Sequence, residues 1–287
     1  MTKKHLLVLT IIISIIMVLP GCGNASQVTS LNKENEKIIK IHYIDVGQGD
    51  SILIQVNNMN LLIDAGPSSS IDKLTTYLNK QNISKLDYVI ATHPHEDHIG
   101  GMTAIIKKYN IGQFYAPKII SNTRAFETMV NALKSKNLKI NIAKEGVTIN
   151  LGKNTECIIL APNNEGYDSI NNYSAVVKVT YGNSKFLFQG DAEKLSESEI
   201  LSKNLDVTCD ILKVGHHGST SSSSTAYLDK ASPKIAIISC GKNNDYGHPH
   251  KATIAALTKR NIQIYRTDID GNIIFESDGT TIKKNKQ

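Results

Sequence analysis

Runs in which aliphatic and β-branched residues crowd four to seven positions alternate along this chain with stretches of helical spacing. Lys40 to Val46, Ser51 to Val56 and Asn60 to Ile63 are β-rich, and Gly47-Gln48-Gly49 and Asn57-Asn58-Met59 separate them, which predicts three successive strands. Ile71, Leu74 and Leu78 have the three-and-four spacing of a buried helix face, and Leu86 to Ala91 reads as another strand. Met102 to Tyr109 and Thr123 to Lys136 follow as amphipathic helices. The second half echoes the first, with strands at 155–160, 175–181, 185–188, 211–214, 235–239, 263–266 and 272–276 and helices at 196–203 and 251–260. The Ser/Thr run from Ser219 to Thr225 reads as a mobile polar loop, and Lys283-Lys284-Asn285-Lys286 as a solvated tail. No linker interrupts the pattern, so residues 38–287 are expected to form one domain of two strand-rich halves flanked by helices.

The residues before Ile38 have another character. Lys3 and Lys4 precede a nearly unbroken apolar run from Leu6 to Leu19, and Leu19-Pro20-Gly21-Cys22 follows, the layout of a bacterial secretion signal ending at a lipoprotein box. Residues 1–21 are expected to be a leader, Cys22 the acylated N-terminus that holds the protein on the membrane, and 22–37 a polar tether. An uncleaved N-terminal anchor is the alternative. Either places the rest of the chain outside the cytoplasmic membrane. No later run approaches the roughly 18 apolar residues of a membrane span, so this sequence carries no channel of its own.

The chemistry concentrates where strands stop. His93-Pro94-His95-Glu96-Asp97-His98 places three of nine histidines in one hexapeptide, directly after a strand. Imidazole and carboxylate are the ligands that zinc and manganese take. Side chains leaving the backbone in different directions suit two ions, with His93 and His95 on one and Asp97 and His98 on the other. Three further strands end in ligand-type residues: Leu61-Leu62-Ile63 at Asp64, Phe186-Leu187-Phe188 at Gly190-Asp191, and Ile211-Leu212-Lys213 at His216-His217. Asp191 has two oxygens with which to bridge two ions.

Asp64, His93-x-His95-x-Asp97-His98, Gly190-Asp191 and His216 together resemble the metallo-β-lactamase superfamily. The opening Ile44-Asp45-Val46-Gly47-Gln48-Gly49-Asp50-Ser51, the pair Asn171-Asn172 before Ser174, His216-His217-Gly218-Ser219 and Tyr246-Gly247-His248-Pro249 are similar to one branch of it. That branch is the hydrolase domain of ComEC-type DNA-internalisation competence proteins and their stand-alone relatives. The resemblance runs from about Ile38 to Ile282. It implies an α/β fold, the four-layer αββα sandwich, with a dinuclear centre at the sheet edges and phosphodiester hydrolysis as the chemistry. Many members of the branch carry Asp where this chain has His95. No histidine occurs between Ile99 and Lys213, where the wider superfamily has another ligand, and Asn171 or Asn172 falls roughly at that place. An amide oxygen is a harder, weaker donor, so one ion site is expected to be looser and more tolerant of manganese or magnesium.

On this scheme His93, His95, Asp97, His98, Asp191 and His216 hold two divalent ions, zinc or manganese, that activate a water. Asp97 doubles as the group that orients it, and Asp64 fixes a histidine tautomer. His217 and His248 are left to meet the substrate as proton donor or phosphate contact.

Composition narrows this only a little. The net charge of +6, or +4 once Lys3 and Lys4 leave with the leader, suits an anionic substrate without being a nucleic-acid signature. The absence of tryptophan and the 6% aromatic content offer no obvious stacking platform, which disfavours base-reading more than backbone cutting. Cys157 and Cys240 read as core strand residues rather than a disulfide framework. Three functions compete: a secreted phosphodiesterase acting on DNA or a related diester, a hydrolase of a β-lactam, lactone or phosphocholine ester, and a non-catalytic metal-binding surface lipoprotein. The first is preferred. No obligate protein partner is evident in the sequence.

Overall fold

The computed structural model describes residues 38–285, so the expected leader, Cys22 and the tether lie outside the described residues. Six strands open the chain: β1 (Ile39–Tyr43), β2 (Ile52–Val56), β3 (Met59–Ile63), β4 (Lys85–Ile90), β5 (Asn110–Ala116) and β6 (Ile140–Ile142). A second sheet follows, from β7 (Thr155–Ala161), β8 (Val176–Tyr181), β9 (Ser184–Phe188), β10 (Ile211–Lys213), β11 (Ile235–Ile238) and β12 (Gln263–Arg266). The chain then returns to the first sheet with β13 (Ile273–Ser277) and β14 (Ile282–Lys284), giving the order β14-β13-β1-β2-β3-β4-β5-β6 beside β12-β11-β10-β9-β8-β7.

Side-chain alternation on the strands decides how the layers stack. Ile39, Ile41 and Tyr43 of β1, Ile52 and Ile54 of β2, Phe186 and Phe188 of β9 and Ile237 of β11 share one apolar cluster between the sheets. The intervening positions point outward. Leu53, Leu62 and Val89 pack with the helices Ile71–Lys80, Met102–Lys108 and Arg124–Ser135, while Leu187, Leu212 and Ala236 pack with Lys194–Ser202, Thr225–Ala231 and Lys251–Thr258. Helix, sheet, sheet, helix is the αββα order expected.

Pairing from β3 through β6 is parallel, as is pairing from β9 through β12. Each parallel run delivers its strand ends, and the loops that follow, to one edge. Crevices outside the carboxyl ends of parallel strands are where α/β sheets bind ligands.

Several segments differ from the pattern reading. β5 and β6 are strands that periodicity did not predict, because Gly112 and the polar residues around it break the alternation. Parallel pairing of β5 with β4 supplies what local propensity does not. Ser219 to Thr225 is an ordered connection rather than a free loop. Ser222 and Ser223 are buried, the Ser223 and Ser224 backbone amides donate to the buried Glu197 carboxylate, and the Ser224 hydroxyl caps the next helix by accepting from Tyr227 N. Lys283 and Lys284 belong to the edge strand β14, with Lys284 Nζ 4.1 Å from the Tyr265 ring centre.

Candidate metal centre

His93 follows the end of β4, the backbone bends at His93 and Pro94, and His95 has extended dihedrals as the residue that begins the one-turn helix Glu96–Ile99. Asp97 and His98 therefore lie in that turn while His93 and His95 precede it, which splits the hexapeptide into two directions. Gly49 permits the fold here: at φ 142° a Cβ would stand 2.2 Å from the Asp97 carbonyl oxygen, which accepts from Asp50 N instead. From the second sheet, Asp191 follows β9 and the His216-His217 pair follows β10.

These side chains form two groups of potential ligand atoms, Asp97 with His98, Asp191 and His217, and His93 with His95 and Asp191. Asp191 belongs to both. Its Oδ1 lies 3.2 Å from His98 Nε2 and 3.5 Å from His217 Nε2, while its Oδ2 lies 3.8 Å from His93 Nε2. His217 Nε2 is 3.1 Å from Asp97 Oδ2 and 3.3 Å from His98 Nε2, and His93 Nε2 is 2.9 Å from His95 Nδ1.

Neighbours fix which nitrogen each ring presents. Asp64 Oδ2 lies 2.7 Å from His98 Nδ1, and the Asp64 carboxylate is itself held by the Thr92 amide and hydroxyl at 2.8 and 2.7 Å. His217 Nδ1 donates to the Ser239 carbonyl at 2.9 Å, and His93 Nδ1 is near the hydroxyls of Thr92 and Ser174 at 3.2 and 3.3 Å. Such contacts set the tautomer that leaves Nε2 for a metal.

The electrostatics of the two groups differ. Burial would raise the Asp191 carboxyl, but the His217 and His98 rings outweigh it and hold the group well below the usual carboxylate range. Burial acts on Asp97 in the same way, and the same two rings draw it down. Burial opposes charge on His217 too, yet Asp191 and the hydrogen bonds to Asp50 and Asp97 push it up to about 10. His98 is raised as well, by Asp191, Asp64 and Asp97 acting against burial. Burial pushes His93 and His95 down, leaving neutral imidazoles. Carboxylates that favour positive charge on adjacent rings favour a divalent cation still more, and Asp191 Oδ1 is buried without a hydrogen-bond partner. The donor set therefore fits divalent metal.

The paired histidines fall differently from their expected places. His216, expected among the ligands, is outside both groups, and His217, expected to face substrate, is inside one. The reason is the turn. The strand ends at Lys213, after which His216 and His217 both adopt left-handed backbone, with φ 48° and 52°, before Gly218 at φ 84°. Simple alternation past a strand end does not apply to such a turn. Gly218 is needed there, since a Cβ would meet the Pro249 Cβ at 2.6 Å. His216 Nε2 stands 3.6 Å from Asp191 Oδ2, with Nδ1 at 2.9 Å from the Ser221 hydroxyl, and its side chain keeps 23% of its surface.

The two asparagines differ in their surroundings. The Asn172 carbonyl oxygen accepts from the Glu193 and Ser196 amides at 3.2 and 3.3 Å, so it serves the start of the helix Lys194–Ser202. Asn171 donates to Glu193 Oε1 at 3.3 Å, and its own oxygen is buried without a partner. His248 lines the cavity beside the ligands, and burial with the nearby histidines lowers its pKa to about 4. Both effects favour its neutral form.

Two contributors carried no role in the pattern reading. Asp50 Oδ2 lies 2.7 Å from Lys213 Nζ and Asp50 Oδ1 lies 3.4 Å from His217 Nδ1, all three side chains being buried. The available signal was a lysine inside the apolar run Ile211 to Val214. Glu193, 3.6 Å from His216 Nδ1 and bonded to both asparagines, is the other. His95, Asp97, Asp191, His216, His217 and His248 border a cavity of about 360 Å³ whose walls include Gln48, Thr123 and Tyr246.

The family model described as "Metallo-beta-lactamase superfamily" matches residues 44–242. The chain belongs to this superfamily. It is similar to ComE operon protein 3 of Bacillus subtilis (strain 168), at 31% identity over 254 residues, covering 82% of this chain and 33% of that protein. It is also similar to Competence protein ComA of Neisseria gonorrhoeae, at 29% identity over 246 residues, 84% of this chain and 32% of that protein. The chain thus spans about a third of the length of these curated relatives. In fold it matches the Bacillus subtilis metallo-beta-lactamase fold protein YhfI, with a TM-score of 0.57 at 13% identity over 84% of this chain and 99% of that one. Superfamily membership and His/Asp groups that can hold a metal ion make this a metal-dependent hydrolase of the metallo-β-lactamase kind.

Proposed function

We propose that the chain is a phosphodiesterase that holds two divalent ions, zinc or manganese, and cleaves DNA or another phosphodiester outside the cytoplasm. The observation that carries this reading is Asp191, whose two oxygens turn to different sets of histidines. When bound, a pair of ions supplies an activated water and neutralises charge on a phosphoryl group. The protein's own residues do the rest. Asp191 holds the two halves of the centre in register, and His93 and His95 supply neutral nitrogens to one half. His98 and His217, oriented by Asp64 and the Ser239 carbonyl, supply the other half. Asp97, 3.1 Å from His217, is held where it can orient the attacking water.

The role first given to His217 passes to His216. Its ring reaches the cavity wall, with Nδ1 tied to Ser221 and Nε2 left toward the reacting region. From there it protonates the leaving alkoxide or grips a non-bridging phosphate oxygen. Phosphodiesters are favoured over β-lactams by the competence-type segments and the competence-named relative.

The location rests on the leader-like sequence and Cys22. No helix among the described residues is long and apolar enough to cross a membrane. Acylation of Cys22 is the proposed anchor, and Cys22→Ala should block processing.

Purified protein with manganese or zinc should hydrolyse bis-p-nitrophenyl phosphate and single-stranded DNA, lose both activities to chelator, and spare nitrocefin and p-nitrophenylphosphocholine. Faster turnover of either of the last two would replace this reading.

A further inference from the structure

The rim of the metal-side cavity carries one exposed aromatic ring. Tyr246 keeps 67% of its surface and stacks on His248, with centroids 5.6 Å apart and planes at 17°. His248 in turn lies 6.1 Å from the His217 ring at 32°. A row of rings therefore leads from solvent to a candidate ligand. Single exposed aromatics are common on protein surfaces, so position and support matter here rather than exposure.

The support is specific. The Asn244 side chain donates to the carbonyls of Gly241 and His248 at 2.9 and 2.6 Å and accepts from His248 N at 3.0 Å, closing the loop on itself. His250 Nδ1 accepts from Thr220 N at 3.0 Å, which leaves Nε2 as the donor toward the Tyr246 carbonyl at 3.3 Å. A ring held this way loses little freedom when a flat group settles on it.

The surroundings lengthen the site. A second hollow of about 630 Å³, lined by Lys242 and Arg266 among others, shares His248 as a wall with the metal-side cavity. A ligand longer than one phosphoryl group therefore has room beside Tyr246 and His248, with Lys242 as a cation beyond it, while Arg266 is paired with Asp268. Alternating anionic groups and flat rings are the chemistry of a nucleic-acid strand.

We propose that Tyr246 is a stacking platform for a base of the strand whose phosphodiester lies at the metal ligands, an inference that rests on the phosphodiesterase reading and narrows its substrate to nucleic acid. Composition offered no obvious stacking platform, and one tyrosine at the right place suffices for this role.

The test compares binding of two labelled probes to the full-length protein in calcium, an oligothymidylate and an abasic oligonucleotide of equal length. Wild type should prefer the thymidylate by about 5- to 100-fold, the usual worth of one stacked base. Tyr246→Ala should bring the two affinities together, while Tyr246→Phe and Tyr246→Trp keep them apart. Equal binding of both probes by wild type overturns the proposal, as does a preference that survives Tyr246→Ala or disappears in Tyr246→Phe. Failure of the phosphodiesterase reading is distinct: bis-p-nitrophenyl phosphate would go uncleaved while the difference between the probes persisted.

Discussion

Lys213 and Asp50 form an ion pair at 2.7 Å with both side chains sealed from solvent, and the second oxygen of Asp50 lies 3.4 Å from His217. The pair joins a strand of the second sheet to the loop after β1, directly beneath the candidate centre. Removing one partner leaves a buried charge uncompensated, which costs about 3–5 kcal/mol. Urea unfolding of Lys213→Met should show a loss of that size, and adding Asp50→Asn should restore part of it. An unchanged midpoint in the single variant would mean that Asp50 is balanced by His217 alone.

The exchange of roles between the paired histidines gives opposite results in two variants. His217→Ala should lose one of two bound ions. His216→Ala should keep both while turnover of a diester with a poor leaving group falls about 10²–10⁴-fold. Hydrolysis of a p-nitrophenyl ester, whose leaving group needs little protonation, should suffer less. Metal analysis beside the two rate measurements checks this, and loss of an ion in His216→Ala would restore the original order.

Asp64 acts through His98, which it contacts at 2.7 Å. Asp64→Ala frees the ring and leaves the Thr92 amide and hydroxyl without their acceptor. Metal affinity measured by chelator competition should drop about 10- to 100-fold. Unchanged affinity would reduce Asp64 to a turn residue.

His42 gives a pH signature away from the centre. Its Nδ1 lies 2.8 Å from the Tyr77 hydroxyl, and burial pushes its pKa down to about 4. In the unfolded chain it titrates near 6.5, so between these values the unfolded state binds the extra proton. Its contribution is complete above roughly pH 6.5 and is lost as pH falls toward 4, by about 3 kcal/mol. Unfolding in chelator at several pH values should show wild type losing that much more than His42→Gln over this window. Parallel curves would show that His42 is charged in the folded state.

Much of the centre was legible because strand-end ligands cluster in sequence. The hexapeptide and Gly190-Asp191 each follow an apolar run whose exit direction is fixed by the sheet. The division of work between His216 and His217 was not legible, since it depends on two consecutive left-handed residues between Gly215 and Gly218. The surroundings of the asparagines were not legible either: the start of the next helix takes up the Asn172 oxygen, while the Asn171 oxygen is buried without a partner. Asp50 and Lys213 are 163 residues apart, and their pairing exists only once the sheets dock. β5 needs its parallel neighbour, whereas the helix Arg124–Ser135 announces itself by its own period.

Asp97 and His217 approach to 3.1 Å across 120 positions of chain, one delivered by each sheet. The first sheet alone offers the hexapeptide ligands without Asp191 and His217, so each donor group is incomplete until the second sheet docks. Because an ion bound there grips both sheets, its binding adds RT ln(1 + [M]/Kd) to the folded state. A protein of this design becomes more stable on reaching a compartment where the ion is plentiful, so maturation and metal supply are thermodynamically linked.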